Sequence, residues 1–256
     1  MWYDFLKRDS FARACILVLV LLSTIVVYSN HNRIKNLESK SDFLFPYDAF
    51  GQVEVHILVD EGQPDEMDFT SAGSGAVVDV NGFAPTSLIL TANHVCNPIP
   101  YTIIVRNEFT EINKSISVTD YYGYIREATI VYIDIDYDLC LLEVEGAWTL
   151  PLSVAKQPAT IGEKVYNISA PAGFFEPGMV PLLEGYYSGD IGWTLDADSI
   201  YTIPTRRGSS GSPVMNSRGE VIGVIHSAIE GFAGAGIATT WHELDDFITD
   251  YYSLNP

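Results

Sequence analysis

The chain has 256 residues and a formal charge of −19, and from residue 41 onward it carries 8 basic against 30 acidic groups. Such an acidic body is a poor partner for nucleic acid and for anionic membrane surfaces, so we expect it to bind neither. Its 15 Tyr, 12 Phe, 20 Gly and 13 Pro favour an all-β protein with many turns, and its length suits one large β domain or two small barrels sharing a cleft.

An apolar run from Ala14 to Tyr28 follows the basic residues Lys7, Arg8 and Arg13 near the N-terminus. Its fifteen residues would form a helix of about 22 Å, shorter than a hydrocarbon core of about 30 Å. We interpret residues 1–29 as an uncleaved signal anchor that makes the membrane a partner, with a cleaved signal peptide as the alternative. Both interpretations export the rest of the chain, which would be membrane-anchored by a single pass or secreted.

The next part of the chain divides into a tether, a first group of strands and a linker. Residues 30–46 are polar and lack periodicity, which is typical of a tether. An acidic surface loop is expected at 60–68, and the linker at 146–160 contains two prolines. Alternating or short apolar runs predict strands at 52–59, 74–80, 87–91, 101–106, 125–133 and 139–144.

A second group of strands and a short helix complete the chain. The strands are predicted at 164–169, 182–189, 199–204, 213–215, 220–226 and 236–240. Apolar spacing predicts a short C-terminal helix near 241–251. The body would thus be a domain over residues 47–256, with a first barrel at about 47–146 and a second at about 160–256.

Three short motifs carry the chemistry. TANHVC (91–96) and DYDLCLL (136–142) each adjoin an apolar run, and RRGSSGSPV (206–214) is a glycine- and serine-rich loop. The loop can place a reactive hydroxyl beside two backbone N–H donors. The chain order His, Asp, Ser matches one of the known orders for a Ser-His-Asp triad.

These motifs, with the residues around them, resemble the trypsin-like serine peptidases of the chymotrypsin fold. The likeness is greatest to the high-temperature-requirement proteases and the glutamyl endopeptidases, and it covers about residues 50–245. The segments that carry it are GSGAVV (73–78), SLILTANHV (87–95), DLCLLEV (138–144), IGEKVYNISAPAG (161–173) and GSSGSPVMNSRGEVIGV (208–224). The resemblance implies two six-stranded antiparallel β-barrels and a serine endopeptidase that cleaves protein or peptide substrates through an acyl-enzyme.

The resemblance also implies the role of each triad residue. His94 would be the general base, Asp138 would orient its imidazole, and Ser210 would be the nucleophile. The N–H groups of Gly208 and Ser210 would form the oxyanion hole. Asp136 is the alternative for this role. We prefer Asp138, because it directly precedes the apolar LCLL run.

Two other serines of the loop, Ser209 and Ser212, compete with Ser210 for the role of nucleophile. The resemblance places the nucleophile just before the second glycine, which selects Ser210. An ordinary serine-rich turn is the alternative interpretation of the whole loop. In that case the protein would be a catalytically inactive, protease-like binding or adhesion module.

The substrate pocket is predicted from the same loop and from the strand after it. Thr205 and His226 resemble the pair with which glutamyl endopeptidases hold an acidic side chain. Arg206 and Arg207 would create a local positive potential at the mouth of the site. We therefore hypothesise a pocket containing Thr205, Arg207 and His226 that prefers Glu or Asp before the scissile bond. The alternative is a small apolar pocket with both arginines solvated.

The remaining cysteines and histidines suggest no other chemistry. Cys96 and Cys140 each lie two residues after a proposed triad member, and we favour two buried thiols over a disulfide between them. The sequence contains no His-x-x-x-His or Cys-x-x-Cys spacing, so we expect no metal site and no cofactor. The sequence does not specify an oligomeric state.

Overall fold

The computed structural model describes residues 45–59, 67–80, 86–98, 112–146, 151–192, 197–229, 231 and 234–254. The first six strands of this part form a closed antiparallel barrel in the order β1-β2-β3-β6-β5-β4. They are β1 (Phe50–Val59), β2 (Met67–Val80), β3 (Thr86–Ala92), β4 (Ile112–Asp120), β5 (Ile125–Asp134) and β6 (Leu139–Glu145). A one-turn helix, α1 (Asn93–Cys96), follows β3.

The next six strands close a second antiparallel barrel in the order β10-β11-β12-β9-β8-β7. They are β7 (Lys164–Ile168), β8 (Leu182–Ile191), β9 (Asp198–Tyr201), β10 (Pro213–Met215), β11 (Val221–Ala228) and β12 (Gly236–Thr239). A C-terminal helix, α2 (Trp241–Leu254), follows. The expected all-β fold of two six-stranded barrels with a short terminal helix is confirmed.

The barrel strands form where apolar and polar residues alternate. In β1 the side chains of Val53, Val55 and Ile57 are buried, whereas those of Glu54 and His56 between them are partly exposed. Successive side chains of a strand point to opposite faces, so this pattern supplies one apolar face for the barrel interior. The same alternation made β1 predictable from the sequence.

The first barrel differs from the prediction in two strands. The strand expected at 101–106 lies outside the described residues, and the barrel is completed by β4, which the sequence pattern did not predict. The first four residues of β4 are exposed, so its N-terminal half has no buried alternating face. Strand β2 begins at Met67, so the end of the acidic loop expected at 60–68 is strand.

A shared apolar cluster joins the two barrels and the C-terminal helix. Its buried members include Phe50, Leu90 and Leu139 from the first barrel, Met215 and Val224 from the second, and Leu244 and Phe247 from α2. Removing such side chains from water is the main stabilising contribution to a fold of this kind. The cluster fixes the position of one barrel against the other and therefore the shape of the cleft between them.

The predicted signal anchor (1–29) lies outside the described residues, as does the predicted tether up to residue 44. Within the described part of the chain, no helix combines the length and the apolar character that a bilayer crossing requires.

Candidate active site

The first barrel brings His94 and Asp138 into direct contact. His94 lies in α1, and Asp138 ends the turn between β5 and β6. The imidazole Nδ1 is 2.6 Å from Oδ2 of Asp138, and the backbone N–H of His94 donates to Oδ1 at 2.9 Å. The N–H of Asn93 donates to the backbone carbonyl of Asp138 at 2.9 Å. Asp138 thus holds both the imidazole of His94 and the backbone of the helix α1 that carries this histidine.

The other aspartates of this segment have a different role. Asp134 ends β5, and Asp136 lies in the turn that follows it. The carboxylate of Asp134 accepts the N–H groups of Asp136 and Tyr137, both at 2.9 Å, and so stabilises the turn. The side chain of Asp136 is exposed and forms no hydrogen bond with any described residue.

The second barrel carries Ser210 on the turn before β10. The N–H of Ser209 donates to the carbonyl of Arg206 at 2.9 Å, and the N–H of Gly211 donates to Ile225 on β11 at 2.6 Å. The hydroxyl of Ser210 donates to the carbonyl of His226 at 3.4 Å. That distance is at the weak end for an O–H donor, so the hydroxyl is readily available to another acceptor.

Ser74 of the first barrel fixes this loop, a role that the sequence pattern did not predict. Its hydroxyl donates to the carbonyl of Gly208 at 2.8 Å and accepts the N–H of Ala170 at 3.0 Å. Its backbone N–H donates to the carbonyl of Ser210 at 2.8 Å. Ser74 is fully buried, so these bonds compete little with water. The loop that carries Ser210 is therefore anchored to both barrels.

Two positions of the loop require glycine. Gly208 has a φ of 94°, and a Cβ there would collide with the carbonyl oxygen of Ala170. Gly211 has a φ of 86°, and a Cβ there would collide with the carbonyl of Ser74 and the hydroxyl of Thr91. Only glycine adopts this conformation without cost and leaves room for such close backbone approach. The two glycines that bracket Ser209 and Ser210 are thus set by geometry.

The backbone N–H groups of Gly208 and Ser210 have no acceptor among the described residues. The carbonyl of Arg207 accepts the N–H of Ala172 at 2.6 Å. Because the N–H and C=O of a trans peptide point in opposite directions, the Gly208 N–H points away from that anchor. Unpaired, preoriented donors of this kind can stabilise a negatively charged oxygen.

His94 and Ser210 line the same cavity, which has a volume of about 730 Å³. Arg206 and Arg207 are also in its wall, and no Asp or Glu is among its described lining residues. The complete described lining is Ile57, Phe69, Thr70, Ser71, Ala72, His94, Val95, Pro98, Thr205, Arg206, Arg207, Gly208, Ser210, Ser227 and Ala228. The cavity thus combines an imidazole, a hydroxyl and two cations.

A second cavity of about 460 Å³ adjoins the first and shares Ala72, Arg206, Arg207 and Gly208 with it. Both cavities therefore border residues 206–208 of the loop that carries Ser210. In the part of the chain that the structure describes, no three His, Cys, Asp or Glu side chains are grouped to hold a metal ion.

The predicted pocket residues are placed differently from one another. Thr205 and Arg207 line the larger cavity, and the hydroxyl of Thr205 donates to the carbonyl of Ile203 at 3.0 Å. The ring of His226 is not in the cavity wall, because its Nε2 lies 3.0 Å from a carboxylate oxygen of Asp198 on β9. His226 contributes its backbone carbonyl to the site, facing Ser210. The pocket role that we expected for the His226 imidazole stays a prediction.

Cys96 and Cys140 form a disulfide, so the favoured expectation of two free buried thiols is wrong. The bond joins α1 to β6, with the two Cα atoms 6.7 Å apart. It ties the helix that contains His94 to the strand that directly follows Asp138. Stable disulfides form in oxidising compartments, which the sequence alone did not establish for this chain.

Comparison with known proteins places this geometry in context. The family model described as a trypsin-like peptidase domain matches residues 73–224. Two proteins named "Probable periplasmic serine endoprotease DegP-like" are similar, one from Ectopseudomonas mendocina (29% identical over 177 residues) and one from Pseudomonas fluorescens (28% over 177 residues). The alignments cover 66% of this chain and 32% of each relative, so the match spans about a third of the length of these curated proteins.

Crystal structures of the Rv3671c protease from M. tuberculosis have the same fold. The active form has a TM-score of 0.58 at 20% identity, and the alignment covers 82% of this chain and 84% of that one. An inactive mutant form has a TM-score of 0.54, again at 20% identity, with coverage of 79% and 88%. At this level of identity the likeness concerns the fold.

Proposed function

Because the chain belongs to the trypsin-like peptidase domain family, whose model covers more than half of it, we propose that it is a serine endopeptidase. Ser210, His94 and Asp138 would be its catalytic triad. One observation carries the proposal: an imidazole held by a carboxylate and a loop serine line the same cavity. The two unpaired N–H groups beside that serine support an acyl-transfer reaction in particular.

The reaction follows from these groups. His94 takes the hydroxyl proton of Ser210 while the Oγ atom attacks the carbonyl carbon of the scissile peptide. The N–H groups of Gly208 and Ser210 bind the oxyanion, and Asp138 stabilises the imidazolium. His94 then gives its proton to the leaving amine as the peptide C–N bond breaks. Water, deprotonated by the same imidazole, hydrolyses the acyl-enzyme and restores the hydroxyl of Ser210.

Labelling with a fluorophosphonate probe tests this proposal. The folded wild-type protein should react covalently, and Ser210→Ala should not, because only an activated serine attacks the phosphorus. Ser217→Ala is the matched control, since that serine is exposed and lies outside both cavities. A folded wild-type protein that resists the probe would instead indicate a catalytically inactive binding or adhesion module.

We further propose that the enzyme prefers Glu or Asp before the scissile bond. Arg206 and Arg207 support this preference, because they line the cavity of an otherwise acidic protein and no described residue of the wall carries a carboxylate. Thr205 adds a hydroxyl to the wall. The His226 imidazole contacts Asp198, so the proposed preference depends on the two arginines.

Chromogenic peptides that differ only in this residue test the preference. We expect acidic peptides to be cleaved faster than apolar ones, and Arg207→Gln to reduce that ratio. Arg218→Gln is the control, because Arg218 pairs with Glu220 and lines neither cavity. Faster cleavage of small apolar residues by the wild-type protein would contradict the preference.

We also propose that the peptidase domain is exported and anchored by residues 1–29. The Cys96–Cys140 disulfide supports export, and the DegP-like relatives are named as periplasmic. The full chain should remain in the membrane pellet after carbonate extraction, and deletion of residues 1–29 should abolish export. Release of a shortened chain into the soluble fraction would favour the cleaved signal peptide instead.

A further inference from the structure

A buried polar chain runs behind the nucleophile loop, from Asn167 on β7 to the carbonyl of Ser209. The amide Nδ2 of Asn167 donates to the hydroxyl of Ser212 and to the carbonyl of Pro213, both at 2.8 Å. The hydroxyl of Ser212 donates to the carbonyl of Ser209 at 2.6 Å. Asn167, Ser212 and Ser209 are each at most 1% exposed, so water does not compete for these bonds.

The direction of each hydrogen bond is set by the chemistry of the partners. The carbonyl of Pro213 can only accept, so the amide group that faces it must be the NH₂ of Asn167. The second hydrogen of that NH₂ points to the oxygen of Ser212. A serine hydroxyl has a single hydrogen, and with its oxygen accepting from the amide, that hydrogen goes to the carbonyl of Ser209. Asn167 thereby sets the rotation of the Ser212 hydroxyl.

This chain fixes the peptide between Ser209 and Ser210. The carbonyl of Ser209 accepts two donors, the hydroxyl of Ser212 at 2.6 Å and the N–H of Ser212 at 3.1 Å. The N–H of Ser210 belongs to the same trans peptide and points the opposite way. It has no acceptor among the described residues, as an oxyanion donor requires before substrate binds.

The position of Asn167 is a costly one for an amide. Its Oδ1 atom is buried without a hydrogen-bond partner in the described structure, which destabilises the fold relative to an apolar side chain. Val165, two residues earlier on the same strand face, is apolar and fully buried. Packing of the second barrel alone would therefore be met by an apolar side chain at this position. The amide of Asn167 is explained by the two hydrogen bonds that it donates.

We propose that Asn167 is a positioning residue that acts through Ser212 to orient the oxyanion donor of Ser210. This inference rests on the proposed peptidase function. Preorganised donors stabilise the transition state more than the bound substrate, so loss of the chain should lower kcat and leave KM nearly unchanged. Loss of a complete oxyanion donor typically lowers kcat about 10²- to 10³-fold. Misorientation of the Ser210 donor should lower kcat by about 10- to 100-fold.

The test compares Asn167→Leu, Ser212→Ala and the double variant, all in the full chain. Each single variant should lower kcat on a chromogenic peptide and the labelling rate constant of a fluorophosphonate probe, with KM within about twofold. The double variant should be no slower than Ser212→Ala, because both changes act on the same carbonyl. Ser169→Ala is the matched control, since that hydroxyl is equally buried near the same strand and has no hydrogen-bond partner among the described residues. The kcat of this variant should not change.

Each outcome has a definite meaning. Single variants that fold, with melting temperatures recorded, and retain the wild-type kcat would overturn the inference. Losses in kcat that multiply in the double variant would also overturn it, since independent effects do not share one carbonyl. If Asn167→Leu does not fold, Ser212→Ala alone decides through the kcat and KM values. A wild-type protein that is never labelled would refute the proposed function itself, a result distinct from labelled variants with unchanged rates.

Discussion

Asp138 shows how one residue positions the imidazole through an unusual backbone conformation. Its φ is 53°, in the left-handed region that few residues other than glycine adopt, and aspartate is among the few that tolerate it. In this conformation the backbone carbonyl of Asp138 accepts the N–H of Asn93. At the same time, the carboxylate of Asp138 contacts the backbone nitrogen and the ring Nδ1 of His94. Glycine would adopt the same φ without strain but would leave the imidazole unheld.

Asp138→Asn should reduce kcat by about 10⁴-fold, the loss typical for the aspartate of a serine peptidase triad. The reason is that an amide can donate to Nδ1 of His94, which stabilises the tautomer unable to accept the serine proton. Asp136→Asn is the control, because the side chain of Asp136 is exposed and forms no hydrogen bond with any described residue. Steady-state kinetics with a chromogenic peptide measure both variants, and a large loss in Asp136→Asn with an active Asp138→Asn would reverse the assignment.

The sequence identified residues whose chemistry is written in a local motif. His94 and Ser210 each lie in a short motif of defined composition, and the structure places both in one cavity. The sequence did not reveal contacts between residues that are distant along the chain. The contact of the His226 imidazole with Asp198, 28 residues earlier, depends on how β9, β12 and β11 are aligned. The buried hydrogen bonds of Asn167 depend on the loop 45 residues later. Such contacts require the tertiary fold.

At the scale of elements, β1 was predictable from its alternating pattern, whereas β4 was not predicted. Strand β1 alternates along its length and was found. Strand β4 begins with four exposed residues, and its pairing with β1 aligns Val59 with Ile112 and Gly51 with Asp120. The first half of β4 is therefore stabilised by pairing with β1 rather than by an apolar face of its own. Single-sequence periodicity does not report such pairing.

The capping box of α2 makes a pH-dependent prediction. The N–H and hydroxyl of Thr240 donate to Oε2 of Glu243 at 2.7 and 3.0 Å, and the N–H of Glu243 donates back to Thr240 at 3.3 Å. Burial nevertheless raises the pKa of the Glu243 carboxyl above its ordinary value, although the bonds from Thr240 oppose the shift. The folded state therefore binds this proton more tightly than the unfolded state, and stability falls as pH rises through the raised pKa.

Glu243→Gln removes this titration and keeps an oxygen that accepts from Thr240. The melting temperature of the wild type relative to Glu243→Gln should therefore fall as pH rises above 4.5, the ordinary pKa of this carboxyl. Scanning calorimetry of both proteins across this range gives the comparison. A melting temperature of the wild type that instead rises relative to that of the variant, as pH rises, would contradict the prediction. It would mean that the cap and the helix dipole stabilise the charged carboxylate more than burial destabilises it.

The Cys96–Cys140 disulfide should contribute to stability mainly by restricting the unfolded chain. The two cysteines are 44 residues apart, and closing a loop of that length is worth about 4 kcal/mol in the chain-entropy account. Replacing both cysteines by alanine should lower the unfolding free energy in urea by up to that amount. The folded double variant should still be labelled at Ser210, because the hydrogen bonds between His94 and Asp138 do not depend on the cysteine side chains. Reductant should destabilise only the wild type; an equal effect on the variant would contradict this role.

At the scale of the whole molecule, the proposed triad depends on how the two barrels are held together. The first barrel supplies His94 and Asp138, and the second supplies Ser210. Ser74 of the first barrel binds the loop of the second, and the shared apolar cluster joins both barrels to α2. Disruption of the cluster should therefore affect the melting temperature and the active site together.

Phe247 tests this dependence, because it is 1% exposed and its ring is 5.0 Å from that of Tyr132 on β5, while α2 also contacts β11 of the second barrel. Phe247→Ala should lower the unfolding free energy by about 3–5 kcal/mol, the usual cost of removing a buried aromatic ring. Leu254→Ala is the control on the same helix, because Leu254 is 67% exposed. On heating, labelling at Ser210 and the calorimetric signal should be lost in one transition, since separation of the barrels would move Ser210 away from His94. Labelling that outlasts the main calorimetric transition would show that the site does not need the joined barrels.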